Sequence, residues 1–474
     1  NTTAGVFAYN LVNVAYQSGP ACSNSILETA TITVHPTPTV TAIANQTYCN
    51  GVNAPSTTAS GPVAGTSFTW TNSNTAIGLA ASGTGKVLAF TTTNSTANAI
   101  SGTITITPTA NGCPGTPLTY TITVNPTPTA SISGGTTVCA NAPSPLITFT
   151  IPQGLPVTIA YNINGLGNTT INVAANSTST VAAPTTTAGT FAYNLVSVAY
   201  QSNPTCLIGI LGTATVIVNP IPIATATPAN QSICSEETIT TIELNSATVG
   251  TNFTWTRNNT GTVTGIADSG SGDISGALTN TTSSPVIVTF TITPTSSGCP
   301  GTPITARVTV NPIPVAIITD NNGSRCSGVP ISTIVLSSTT GGTTFTWTRD
   351  NTDTAVGIPA SGSGSNITGA LTNTSNVPVP VTFTVIPTAN GCQGDAATTI
   401  VVINPKPAIN DTTLTICNSG NFDATPTDGI HGEVPAGTNY DWNIQSSTGG
   451  ITGATDGNGA TITGTLGNTT NIIQ

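Results

Sequence analysis

The sequence predicts an all-β chain of tandem β-sandwich domains. Three observations carry that reading: a repeat of about 92 residues, apolar residues alternating with Thr inside each repeat, and no helical period. The repeat shows first in a Pro-x-Pro mark, at Pro36/Pro38, Pro126/Pro128, Pro220/Pro222, Pro312/Pro314 and Pro405/Pro407. Asn125, Asn219, Asn311 and Asn404 precede four of the marks and His35 precedes the other. Proline lacks an N–H and fixes φ, so each mark ends a strand and stiffens a short linker.

Within a repeat, Phe253-Thr254-Trp255-Thr256 and Thr289-Phe290-Thr291-Ile292-Thr293 put aromatic and aliphatic side chains on one face and Thr on the other. Thr is β-branched, so it suits the outer face of a strand without needing charge. Clusters of Gly, Asn, Ser and Pro break the runs every 8–12 residues or so, as in a sandwich. About seven short strands in a unit of this size fit the immunoglobulin-like fold.

There are two kinds of repeat. The first carries Phe68-Thr69-Trp70, Phe253-Thr254-Trp255 or Phe345-Thr346-Trp347, followed by a Gly-x-Gly turn at Gly83/Gly85, Gly270/Gly272 or Gly362/Gly364. The second reads Gly189-Thr190-Phe191-Ala192-Tyr193-Asn194-Leu195-Val196. The opening Gly5-Val6-Phe7-Ala8-Tyr9-Asn10-Leu11-Val12 matches that second kind two periods earlier. The expected domains are therefore 1–35 (the end of a repeat), four whole repeats at 36–125, 126–219, 220–311 and 312–404, and 405–474 (the start of a repeat). The sequence is expected to be an internal piece of a longer processed protein, closing at Gln474 just before two final strands.

Composition narrows the function classes. The chain has 474 residues, 6 basic and 16 acidic, for a net charge of −10, and only 5% of its residues are charged. Six basic residues cannot form the basic face that nucleic acid or anionic lipid requires. No apolar run approaches the ~18 residues of a membrane helix. Ten cysteines at regular spacing point to an oxidising, extracellular compartment. They pair most simply inside repeats, as Cys49–Cys113, Cys139–Cys206, Cys234–Cys299 and Cys326–Cys392. That leaves Cys22 and Cys417 unpaired in the two partial repeats. Closing such loops is worth roughly 4 kcal/mol each. A rival scheme joins neighbours across each linker, as Cys22–Cys49 and Cys113–Cys139.

Taken together, Cys234-Ser235-Glu236, Phe253-Thr254-Trp255-Thr256-Arg257, Gly298-Cys299-Pro300-Gly301 and Val308-Thr309-Val310-Asn311-Pro312 resemble the PKD-like, Ig-like repeats of very large Bacteroidota surface proteins. These include gliding-motility-type adhesins exported by the type IX secretion system. The Trp-Asp-Phe-Gly-Asp-Gly signature of ordinary PKD domains is replaced here by Trp255-Thr256-Arg257. The resemblance implies a surface-exposed, secreted repeat region, and the acceptor pattern of that phylum makes Thr354 and Thr412 candidate O-glycosylation sites.

No group of residues has the spacing of a catalytic or metal site. His35 and His431 lack partners for a triad or a metal cluster. Gly83-Thr84-Gly85-Lys86 lacks the Gly and the Ser/Thr that a phosphate loop needs, and reads as a turn. Asp268 and Asp273, or Asp350 and Asp353, do not recur in every copy and read as turn residues rather than a calcium seed. Trp70, Trp255, Trp347 and Trp442 alternate with Thr, which places them in cores rather than on a sugar-binding strip. Asn-x-Ser/Thr triplets such as Asn94-Ser95-Thr96 and Asn280-Thr281-Thr282 read as chance in a chain this rich in Asn and Thr.

The resulting expectation is a non-enzymatic stalk that needs no cofactor and projects a binding or motility function from the cell surface. Its partners are neighbouring repeats, with surface polysaccharide or further copies of itself as candidates, and neither nucleic acid nor membrane insertion. Two alternatives stand beside it: a spacer and carbohydrate-binding array of a secreted polysaccharidase, and a homopolymeric filament.

Overall fold

The computed structural model describes residues 3–20, 22–447 and 449–470, so Gln474 lies outside the described residues. Strands make almost all the regular structure. The one helical element among the described residues is the 3-10 turn Thr75–Ile77. The chain divides into two compact units, Asn1–Ile221 with Ser297–Cys299, and Pro222–Ser296 with Pro300–Gln474.

The first unit opens with an antiparallel hairpin, Gly5–Tyr16 paired with Cys22–Val34. In the repeat at 36–125, the main sheet has the spatial order Gln46–Cys49, Leu118–Asn125, Ile100–Ala110, Ser67–Asn72, Ser82–Thr84. The edge strand Gln46–Cys49 runs parallel to its neighbour, with Cys49 opposite Asn125. The other pairings in that sheet are antiparallel. The small pair Asn53–Ala54 and Phe90–Thr91 closes the second layer. Alternation sorts the long strand: Ile104 and Ile106 are buried, while the residues between them are less covered.

The repeat at 126–219 keeps this order, as Thr136–Cys139, Thr213–Asn219, Gly189–Tyr200, Val157–Ile163, Leu166–Val173. Its last pair differs. Val157–Ile163 and Leu166–Val173 form a full hairpin around Asn164-Gly165, with φ of 55° and 75°. A two-residue turn with both φ positive is the one Asn-Gly favours. A three-strand sheet, Ser131–Ser133, Leu146–Thr150 and Thr178–Ala182, covers the other face.

In the second unit, the repeats at 220–311 and 312–404 repeat the first arrangement. Asn230–Cys234 and Ser324–Cys326 are the parallel edge strands. Their cores hold Trp255, Phe290 and Val308, and Trp347, Phe383 and Val401. Among the described residues, 405–470 form short pairs: Ala408–Ile409 with Gly432–Glu433, Gly420–Asp423 with Thr463–Asn468, Thr463–Asn468 with Ile451–Thr452, and Tyr440–Trp442 with Gly457–Gly459. The fold class is thus the expected one, tandem β-sandwich repeats.

Candidate functional site: cysteines at the linkers

The disulfides correct the sequence expectation. The bonds are Cys49–Cys206, Cys139–Cys299 and Cys234–Cys392, with Cα–Cα distances of 5.5–5.6 Å. Each joins the first cysteine of one repeat to the second cysteine of the next. Cys113 and Cys326, expected to be bonded, are free thiols, as are Cys22 and Cys417. Neither Cys49–Cys113 pairing nor the rival Cys113–Cys139 pairing forms.

Sheet geometry gives the reason. Cys49 lies opposite Asn125, at the exit end of strand Leu118–Asn125. Cys113 lies in the hairpin before that strand begins, where it pairs with Ala110. Eight residues of strand separate the two ends, about 25 Å at the usual rise. A disulfide spans roughly 4.4–6.8 Å between Cα atoms, so the bond inside a repeat is out of reach.

Backbone contacts hold each class of cysteine at a different linker. The residue after the strand-end cysteine donates its N–H to the Asn carbonyl just before the exit proline: Asn50 to Asn125 (2.9 Å), Ala140 to Asn219 (2.8 Å), Ser235 to Asn311 (2.8 Å), Ser327 to Asn404 (2.9 Å). The hairpin cysteine is held at the entry linker. A Cβ on Gly115, Gly301 or Gly394, two residues after it, would lie 1.9, 2.0 or 1.8 Å from the carbonyl oxygen of Pro38, Pro222 or Pro314. Only glycine permits that approach. The exit linker of one repeat is the entry linker of the next, so the two classes of cysteine meet there. The linker is further pinned where the buried Tyr200 hydroxyl donates to the Pro126 carbonyl (3.0 Å) and Asn50 Nδ2 donates to Thr127 Oγ1 (3.0 Å). Burial pushes the Tyr200 phenol up to about 12.

Trp70, Trp255 and Trp347 are buried, whereas Trp442 is half-buried. Each indole lies on a glycine of the Gly-x-Gly turn. A Cβ on Gly83, Gly270 or Gly362 would come within 2.3 Å of the ring, and one on Gly457 within 2.6 Å of Trp442. The turn therefore serves the tryptophan, a link the sequence reading missed although both residues were singled out.

Three of the Asn-x-Ser/Thr triplets, those that begin at Asn94, Asn280 and Asn373, are structural rather than accidental. The buried Asn94, Asn280 and Asn373 each donate Nδ2 to two carbonyls, Asn98 and Val124, Ser284 and Val310, and Val377 and Ile403. Each Oδ1 accepts from the backbone N–H and hydroxyl of the Ser/Thr two residues on. These amides plug the loop onto the last strand. Recurrence at one position of the three first-kind repeats was the signal that would have found them.

Two buried arginines were also missed. Arg257 donates Nε to Ile266 O (2.8 Å) and Nη1 to Val263 O (3.0 Å), and pairs with Asp268 at 3.3 Å. Arg349 donates Nε to Ile358 O (2.8 Å), and burial pushes its guanidinium down from its ordinary range. Both arginines organise the loop after the Trp strand.

The remaining candidates stand apart. His35 is exposed; His431 Nδ1 accepts the Thr427 N–H (2.8 Å) and closes a local turn. Asp273 accepts from Leu244 N–H and Asp350 from Thr382 N–H, while Asp353 is exposed. Among the described residues, no group of three His, Cys, Asp or Glu has metal-binding proximity. Thr354 and Thr412 are exposed.

A family model described as "PKD-like domain" matches residues 46–128, 231–314 and 323–407, just over half of the chain. The chain belongs to the PKD-like domain family. Among curated proteins, none matches the sequence. Similar solved structures include Drosophila N-cadherin EC1-4 (10% identity, covering 77% of this chain and 99% of that one, TM-score 0.27). Mouse cadherin-23 EC22-24 is similar at 11% identity over 59% of this chain and 99% of that one, with a TM-score of 0.34. A three-immunoglobulin-domain piece of titin matches at 10% over 59% and 99%, with a TM-score of 0.36.

Proposed function

We propose that this chain is an extracellular stalk of a repetitive surface adhesin, of the gliding-motility type, that holds a binding or motility function away from the cell without catalysing a reaction. One observation carries the reading: the disulfides tie each repeat to the next instead of closing each repeat on itself. Such bonds add nothing to a binding face. They reinforce the joints of an array, and they persist only where thiols are kept oxidised. The low charge fits a spacer, since there is little for salt to screen. The carbohydrate-binding alternative draws no support from the tryptophans, three of which are buried.

The test is location and redox state in the source cell. Antibody labelling of intact cells, with surface protease treatment, should detect the repeats outside, and alkylation should leave the six bonded cysteines unmodified. Signal confined to the cell interior, with those cysteines alkylated, overturns the proposal.

A further inference from the structure

The first hairpin and Cys113 lack the same missing piece. Gly5–Val34 has a twin in Gly189–Val218, of similar sequence. In the twin, Tyr193, Leu195, Val198, Tyr200 and Val216 are buried. Their counterparts Tyr9, Leu11, Val14, Tyr16 and Ile32 are 50–70% exposed. A facing sheet and two in-sheet neighbours make the difference: Ile147 and Phe149 of the sheet Ser131–Ser133, Leu146–Thr150, Thr178–Ala182 pack in one core cluster with those side chains. Val157–Ile163 pairs antiparallel with Gly189–Tyr200, and Thr136–Cys139 pairs parallel with Thr213–Asn219, placing Cys139 opposite Asn219. Among the described residues, the hairpin Gly5–Val34 pairs only with itself.

Cys113 points to the same absent strands. Its three counterparts, Cys206, Cys299 and Cys392, each bond the strand-end cysteine of the repeat before. For Cys113 the repeat before is the one that ends in Gly5–Val34. The strand that would cover Cys22–Val34 is also the strand that would end in the required cysteine, seated opposite His35 as Cys139 is seated opposite Asn219.

We infer that the exposed face of Gly5–Val34 docks the N-terminal half of a second-kind PKD-like repeat, joined ahead of Gly5 in the same polypeptide, and that the strand-end cysteine of that half bonds Cys113. Bond formation removes one proton and one electron from each thiol. A low-molecular-weight disulfide such as oxidised glutathione takes up both electrons and both protons and leaves as two thiols. The same class rule, strand-end cysteine to the hairpin cysteine of the following repeat, makes Cys326 a taker of hairpin cysteines only.

The probe is a copy of residues 126–184 fused directly before Asn1, which stands one residue further along the repeat, at the position of Thr185 in the twin. It adds one cysteine to a chain with four free thiols. After equilibration with oxidised and reduced glutathione, the free-thiol count should fall to three. Peptide mapping should join the added cysteine to Cys113, and amide exchange over Gly5–Val34 should slow by about 100-fold or more. In a Cys113→Ser version the bond disappears but the protection stays. Five free thiols with an unprotected hairpin overturn the inference. A bond to Cys22 overturns the class rule. A control fusion carrying residues 405–470 should neither protect nor cross-link; equal performance by that first-kind half, or recovery of Cys113 bonded to Cys417 of another copy, overturns the stated occupant.

Discussion

In the repeat at 220–311 a tryptophan lies on a glycine; in the repeat at 126–219 a tyrosine at the matching place does not. Trp255 stands opposite Gly270 across the strand pair, packs edge-on against Phe290 (5.6 Å), and donates Nε1 to Gly272 O (3.1 Å). Tyr161 stands opposite the exposed Thr169, between Phe149 (4.8 Å) and Tyr193 (6.2 Å). Both repeats keep the same strand order. The indole needs glycine at the one position it covers, Gly270 in the short edge strand Ser269–Ser271. A smaller ring leaves room for side chains, and the equivalent strand runs the full length of Leu166–Val173. The core ring and the residue opposite it on the edge strand thus change together.

The largest effect separates the two kinds altogether. Cys49–Cys206 ties a first-kind repeat to a second-kind one across 157 residues. In the chain-entropy model such a closure is worth about 5 kcal/mol. Cys206→Ser should lower denaturant stability by up to about that amount and let the repeats at 36–125 and 126–219 melt at separate temperatures in calorimetry. A single unchanged transition would show that the two never needed the bond.

Truncating the ring comes next. Trp255→Ala should cost about 3–5 kcal/mol, the usual range for a buried aromatic. Tyr161→Phe should cost less than about 1 kcal/mol, because the ring stays. Urea unfolding of each variant measures both, and equal losses would erase the proposed difference between the kinds.

Adding one methyl group is a sharper probe. Gly270→Ala should cost about 1–3 kcal/mol, since the new Cβ meets the indole at 2.3 Å. Thr169→Ala, on the open edge of the other kind, should stay within about 0.5 kcal/mol. A harmless Gly270→Ala would mean that the ring can slide away at no cost.

The smallest effect at neutral pH appears only in alkali. The folded Tyr200 phenol ionises at about 12, above its ordinary value near 10, so its contribution is complete below about pH 10 and is lost as pH rises to about 12. The repeats at 220–311 and 312–404 contain no tyrosine. Thermal melts between pH 9 and 12 should show the second-kind repeat weakening first, and Tyr200→Phe should flatten that slope. Equal weakening of all repeats would assign the effect to something other than this phenol.

Much of this was legible in the chain. Pro-x-Pro marks and Thr alternation announce the repeats, because strand faces and proline geometry are local properties. Trp70, Trp255 and Trp347 were readable as core for the same reason, whereas Trp442, read the same way, is only half-buried. The disulfide partners were not, because pairing depends on which end of a sheet each cysteine occupies. Cys49 and Cys113 look like natural mates at 64 residues' separation until the parallel edge strand puts them at opposite ends. Asn280 was passed over because its loop closes against Val310, 30 residues away. Arg257 was read as part of a motif, while its three carbonyl partners lie in the irregular loop that follows.

The staples also decide where tension runs if the chain is pulled from its ends. A taut path enters at Cys49, crosses to Cys206, follows the backbone to Cys234 and crosses to Cys392. Of everything between Cys49 and Cys392, only the backbone from Cys206 to Cys234 bears load, a contour of about 95 Å at ~3.4 Å per residue. Reduced, the same stretch could pay out roughly 1,100 Å or more. The oxidised chain is therefore close to inextensible between Cys49 and Cys392, and the pull reaches the cores only through the strands of that short segment, such as Thr213–Asn219. Its slack is set by the distance in sequence between one hairpin cysteine and the next strand-end cysteine, which makes that spacing, rather than domain stability, the quantity that governs how far the chain gives.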